Sequence, residues 1–197
     1  VLVSDVFIAE IDELKNHYDV RSEYSKQMGA ALGKAFDTRA LQAAVLASRA
    51  SATVSGGYGG ALVKNTSMAT DAAVLAAALY TSAQTWDEKD VPESDRVVAV
   101  KPAQYYLLLA VEKLMNKDYG TTGDYAQGKI QTAAGIDIVK SNNVPSTNIA
   151  AATAGENNTY HGDFSNTVAV AFHKSAIGTV KLMDLATSMT APDGDFY

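Results

Sequence analysis

The chain has 197 residues, 47% of them hydrophobic and 19% charged, with a formal net charge of −6 and no cysteine. That is the composition of a globular protein with one or two cored domains. It excludes disulfides and thiolate chemistry, and it argues against a nucleic-acid-binding surface, which needs clustered Lys and Arg to neutralise phosphates.

In chain order, Val1–Ile8 is apolar and rich in β-branched residues, so it predicts the end of a strand. Glu10–Leu14 predicts a helical turn. Its carboxylates, Glu10, Asp12 and Glu13, have no His at ligand spacing, so a solvated helix face is the better reading than a metal or acid/base site. Val20–Ser48 predicts one long helix. Asp19 stands where an N-cap carboxylate accepts backbone N–H bonds of the first turn. Val20, Tyr24, Met28, Ala31, Leu32, Ala35, Val45 and Leu46 gather on one broad face at 3.6 residues per turn, and Ser22, Glu23, Lys26, Lys34 and Asp37 on the other. Such a rod is about 40 Å long, more than a small domain needs to cover its core. It predicts a spine with different modules at its ends; the plainer alternative is an amphipathic core helix. Gly29 and Gly33 each cost the helix about 1 kcal/mol against Ala, and their spacing suggests that another backbone approaches there.

After Ser48 the composition changes. Ser55-Gly56-Gly57-Tyr58-Gly59-Gly60 predicts a flexible loop; no Gly-Lys-Ser/Thr or dinucleotide fingerprint accompanies it. Thr70 or Asp71 caps a second helix to about Trp86. Pro92–Asp95 is a turn, and Arg96–Val100 a short strand of the buried type. Pro102 suits the first turn of a third helix, PAQYYLLLAVEKLM. Helix, buried strand and helix in that order predict a layered α/β module. Asp118–Gly128 reads as a loop, and Lys129–Thr132 and Ile136–Lys140 as strands joined at Gly135. Ser146–Asn166 is polar and turn-rich, hence a long surface loop. Thr167–Phe172 predicts a strand, His173–Ala176 a turn, and Gly178–Leu182 a last strand. No apolar run approaches the roughly 20 residues of a membrane span, and no signal peptide is visible.

Chemistry is scarce. His17, His161 and His173 lie far apart, with no HExxH, paired Cys or EF-hand loop, so no metal or cofactor site is expected. Ser175 lies two residues from His173 but lacks nucleophile-elbow glycines. No catalytic residue is expected. Asn65-Thr66-Ser67 and Asn157-Asn158-Thr159 fit a glycosylation sequon, which carries little weight without a secretion signal.

Two stretches carry a resemblance. One is NHYDVRSEY: Asn16, His17, Tyr18, Asp19, Val20, Arg21, Ser22, Glu23 and Tyr24. The other is HKSAIGTVKLMDLA at His173–Ala186, with His173, Lys174, Ser175, Gly178, Thr179, Val180, Lys181, Leu182, Asp184 and Leu185. Each closely resembles the corresponding segment of major capsid proteins of short-tailed, podovirus-type (Autographiviridae-like) phages related to the odd-numbered T coliphages. Between them the likeness is one of layout: an Ala-rich helix, a VPxxDR turn at Val91–Arg96, a buried strand and a Pro-started helix.

The resemblance implies an α+β chain with the tailed-phage major capsid fold, shared with herpesvirus capsid floors. It implies a peripheral domain with a long spine helix and a β-sheet, plus an α/β axial domain. Residues 1–8 would end the extended loop, 9–48 and 167–197 would belong to the peripheral domain, and 49–166 would form the axial domain. The N-terminal arm and most of the extended loop would lie outside this piece of a longer protein.

The implied function is structural. Copies would form hexamers and pentamers of an icosahedral head around double-stranded DNA, without sequence-specific binding and without a membrane. The head would assemble in the host bacterial cytoplasm with scaffolding protein, portal and cement proteins as partners. An acidic balance would keep packed DNA from adhering to the wall. The helix is expected to bend during maturation at Gly29 or Gly33. The competing readings are an encapsulin-like compartment of the same fold, a small α/β enzyme with its site in the loops at 118–128 and 156–163, and a phage decoration protein.

Overall fold

The computed structural model describes residues 3–7, 20–115, 128–130, 132–149, 160–180 and 186–188. The long helix α1 runs Val20–Arg49 as one element. Asp19, its expected N-cap, and the turn expected at Glu10–Leu14 lie outside the described residues. Only Leu41, Gln42 and Val45 of α1 are buried. The apolar face drawn from the sequence is therefore covered only near the C-terminal end. Val20, Met28, Leu32 and Ala35 are half-buried, and Tyr24 and Ala31 are exposed. Among the described residues no atom lies within 4 Å of where a Cβ would stand at Gly29 or Gly33, so no described backbone approaches them.

Helix α2 spans Ala72–Asp87. Of the two candidate caps it is Asp71 that serves, its carboxylate accepting the N–H groups of Ala73 at 2.8 Å and Val74 at 3.3 Å. Strand β1, Arg96–Val100, follows. The helix expected over 102–115 is two pieces, α3 (Pro102–Leu109) and α4 (Glu112–Met115). They are joined by tight turns in which Ala110 N–H donates to Leu107 O and Val111 N–H to Leu108 O. Leu108 and Leu114 explain the break. Six residues apart on an unbroken α-helix they would point about 120° apart, yet both are buried in one core.

Strands β2 (Thr132–Ala133) and β3 (Ile136–Lys140) form a hairpin. Its turn residues Ala134 and Gly135 have φ of 53° and 73°. That pair of left-handed residues matches the right-handed twist of the strands. Strands β4 (Asn148–Ile149) and β5 (Gly162–Asp163) pair antiparallel. Strand β6, Ala169–His173, leads into a 3-10 turn at Lys174–Ala176.

The main sheet has the order β2-β3-β1-β6. β1 lies parallel to β3 and antiparallel to β6. The parallel pair requires a crossover, which α3 and α4 supply. Alternation along β1 sends its side chains to two cores. Val98 and Val100 pack with Leu75, Leu79, Leu108 and Ile136 beneath α2 and α3. Ala99 packs on the other face with Val170, Phe164 and the α1 residues Leu41 and Val45.

Three expected elements differ. Val3–Phe7 pairs with no strand among the described residues, and Val3 and Phe7 are exposed; a β-prone run becomes a strand only where a neighbour takes its backbone hydrogen bonds. Gly178–Val180 is likewise extended chain outside any sheet. The expected surface loop at Ser146–Asn166 instead holds β4, β5 and the fully buried Phe164.

Candidate assembly surfaces and the junction behind them

Two short motifs that lie far apart in sequence meet at one end of the sheet. Arg96 heads β1 and is directly opposite His173, the last residue of β6. One step further, Lys174 N–H donates to Asp95 O at 3.1 Å, and the Lys174 ammonium donates to the Asp95 carboxylate at 2.6 Å. This hydrogen bond, with the charge behind it, holds the Asp95 carboxyl below the usual aspartate range. The same contact raises Lys174. Both groups are exposed, so solvent screens the pair.

Arg96 is buried at 4% exposure. A buried guanidinium needs an acceptor for each donor it turns inward. Its Nε donates to Pro92 O at 2.9 Å, and an Nη to Asp87 Oδ1 at 2.8 Å and to Val91 O. The guanidinium also lies 5.5 Å from the centre of the Trp86 ring. Arg96 thus ties the end of α2 and the turn after it to the head of β1. The sequence hinted at this in a lone charge at the start of an otherwise apolar run.

His173 caps the 3-10 turn. Its Nδ1 accepts the Ser175 N–H at 3.2 Å and lies 2.6 Å from Ser175 Oγ. His173 Nε2 is buried without a hydrogen-bond partner. The close histidine–serine pair therefore lacks a third group to orient the ring as a general base, and its geometry is that of a local cap.

A second junction fixes the C-terminal half of α1. Arg39 lies 5.5 Å from the Tyr160 ring centre and Arg49 5.6 Å from that of Phe164. Asn143 donates to Asp37 at 3.4 Å. The glycine-rich loop folds back on the helix end. A Cβ at Gly60 would stand 2.4 Å from Ser48 Cα, so only glycine permits this approach. Lys89, just beyond α2, donates to Gly59 O at 2.7 Å. The loop expected to be merely flexible is thus held at both junctions.

The remaining surface is partly apolar. Tyr24 and Phe36 on α1 are 40% and 49% exposed, and Val54, Tyr58, Leu62 and Val63 project from the loop. An open cleft of 1360 Å³ runs beside β6 between the end of α1, α2 and that loop. Among the described residues no group of three or more His, Asp or Glu could hold a metal. Nor is any helix of the described residues long and apolar enough to cross a membrane.

Of the residues singled out in the sequence, Asn16, His17, Tyr18, Asp19, Lys181, Leu182, Asp184 and Leu185 lie outside the described residues. Val20 and Ser22 are half-buried at the start of α1, and Arg21, Glu23 and Tyr24 are exposed there. His173, Lys174 and Ser175 form the turn, and Gly178, Thr179 and Val180 follow it as exposed chain. Among the described residues, β6 meets α1 near Val45, about 37 Å of helix away from Val20. What the structure does bring together is HKSA and the VPxxDR turn.

Residues 1–194 match the model of the Gp10A-like major capsid proteins. The chain belongs to that family. It is 30% identical over 210 residues to the major capsid protein of Escherichia phage T7, covering 94% of this chain and 61% of that protein. It is 32% identical over 213 residues to the major capsid protein of Enterobacteria phage T3, covering 94% and 60%. The chain therefore spans less than two thirds of the curated relatives it matches.

Among solved structures, the capsid of the cyanophage P-SCSP1u is similar with a TM-score of 0.78 and 42% identity, covering 88% of this chain and 56% of that one. The mature capsid of bacteriophage PhiM1 shares the fold with a TM-score of 0.64 at 22% identity, covering 82% and 52%. The family resemblance and the α+β tailed-phage capsid fold expected from the sequence are both borne out. The relatives are phage capsid proteins, which does not favour the encapsulin-like or enzyme readings.

Proposed function

We propose that the full-length protein of which this chain is a part is the structural subunit of a phage head. Copies associate into hexamers and pentamers that tile an icosahedral shell around double-stranded DNA. The shell assembles in the host bacterial cytoplasm on a scaffolding protein, takes in a portal, and accepts cement proteins. No step requires catalysis. The observation that carries this reading is the match to a major capsid family along residues 1–194, joined to the TM-score of 0.78 with a cyanophage capsid.

The geometry supports a subunit built to be completed by neighbours. The sheet and its helices form a cored unit, while α1 extends past it with Tyr24 in its first half and Phe36 near its middle exposed. Assembly free energy would come from burying such surface between copies. In this reading residues 1–8 end the extended loop, 9–48 and 167–197 belong to the peripheral domain, and 49–166 form the axial domain. Strand β6, at the head of the last segment, is hydrogen-bonded to β1 and so couples the two. The net charge of −6 suits a wall that must release its DNA.

The test is sedimentation of the full-length protein co-expressed with its scaffolding protein, with the fast fraction imaged by electron microscopy. Closed shells of uniform size are the expected outcome. Only monomers or small oligomers, at every scaffold ratio, would overturn it.

A further inference from the structure

Strand β6 stands at the edge of the main sheet and is paired on one side, with β1. Its other edge turns backbone N–H and C=O groups away from the sheet, with no partner strand among the described residues. The open cleft lies along that edge. Every residue from Thr167 to His173 lines it, so side chains from both faces of the strand border one space. Leu75 and Leu79 of α2 border it from one core, and Val45 of α1 from the other. A space bounded by an open strand edge and by the layers on both sides of the sheet has the shape of a place for one more strand.

The cleft is basic although the chain is acidic. Arg49, Lys64, Lys89 and Lys101 line it, against the carboxylate of Asp163. The Lys89 ammonium donates to Gly59 O, whereas that of Lys101 is half-buried and has no acceptor among the described residues. Burial pushes the Lys101 amine below the usual lysine range. Gln104 Oε1, one turn further on and also at the cleft, is buried without a donor among the described residues. An apolar segment with carboxylates and no cation suits such walls.

The chain carries one. Val3–Phe7 has the five-residue length of β6 and no pairing strand among the described residues. Val3, Val6 and Phe7 are exposed apolar side chains, and Asp5 is its one charge. The sequence around it, Val1–Glu13, holds Asp5, Glu10, Asp12 and Glu13 and no Lys or Arg. Val3–Phe7 does not line the cleft of its own chain.

We propose that Val3–Phe7 of one copy adds as a fifth strand to the β6 edge of a neighbouring copy. Main-chain hydrogen bonds to β6 hold it, Val3 and Phe7 point to one wall of the cleft and Val6 to the other, and the carboxylates meet the basic lining. The contact is head-to-tail: each copy gives a strand and receives one, as a ring of subunits requires. The inference rests on the reading of the chain as a shell subunit.

The test uses the full-length protein assembled with its scaffolding protein. Ser4→Cys and Ala171→Cys are combined on a background without other reactive cysteines, and the shells are treated with a short bifunctional maleimide, whose reach removes the dependence on strand direction and register. The expected result is a ladder of linked dimers and longer multimers on a denaturing gel, absent from either single variant and from unassembled subunits. Where the double variant does not close shells, the two single variants are co-assembled, and a linked dimer between them is expected. A doubly modified monomer without a ladder would place the segment on its own copy and overturn the proposal. A ladder equally strong in either single variant would overturn it too. Closed shells without any link would assign the β6 edge to another segment and leave the shell-subunit reading standing, whereas failure of the unaltered protein to form shells would remove both.

Discussion

A methyl group at Gly60 would stand 2.4 Å from Ser48 Cα and 2.6 Å from Ser48 O. Both are backbone atoms at the end of a helix and cannot swing aside. Gly60→Ala should therefore destabilise the protein by about 1–3 kcal/mol, read as a lower urea midpoint. Asp95 and Lys174 make a different prediction at the same scale. Asp95 titrates below its ordinary value because of the Lys174 hydrogen bond and charge, so its contribution is present above the unfolded value and lost as pH falls through the folded one. Lys174 is raised, so its contribution is present below its unfolded value and lost as pH rises through the folded one. Lys174→Met should return the Asp95 carboxyl toward the ordinary aspartate range, observable in the carboxyl carbon shift by NMR. Any stability difference from the parent should shrink once Asp95 is protonated.

The long helix separates propensity from packing. Gly29 and Gly33 lie in its first half, where an added methyl would meet no atom of the described residues. Gly29→Ala and Gly33→Ala should each stabilise the isolated subunit by up to about 1 kcal/mol, measured by denaturation. If the helix bends at these positions during maturation, the same substitutions should slow expansion of the shell while stabilising its subunit. The helix was legible in the sequence because thirty residues without proline, rich in alanine and other good helix formers, favour one continuous rod. So were a cap at Thr70 or Asp71 and Arg96–Val100 as a buried strand, since each rests on local chemistry. What periodicity could not reveal was which part of the α1 face is covered, because that depends on β6 and Phe164, more than a hundred positions away. Phe164 was hidden for the same reason, as a single aromatic in a polar stretch with no repeating neighbour. The junction at Asp95, Arg96, His173 and Lys174 was legible only as two family-like strings. Their meeting is a product of antiparallel register, which a single strand does not encode.

At the scale of the whole molecule, the exposed half of α1 is the feature least explained by this chain's own core. The C-terminal half is fixed by two apolar residues, two ring-stacked arginines and a folded-back loop. Among the described residues the first half has no comparable seat, and Tyr24 there and Phe36 just beyond it offer large apolar side chains. In a shell such residues would be covered by a neighbouring copy, and each fully buried aromatic would contribute about 2–3 kcal/mol per contact, repeated over every subunit. Tyr24→Glu combined with Phe36→Glu should therefore leave the denaturation midpoint of the unassembled subunit within about 0.5 kcal/mol of the parent. It should at the same time sharply reduce the yield of closed shells in sedimentation. A fall in subunit stability of several times that size would instead assign the surface to another part of the same polypeptide. Unchanged shell yield would remove these two positions of α1 from the assembly interface altogether.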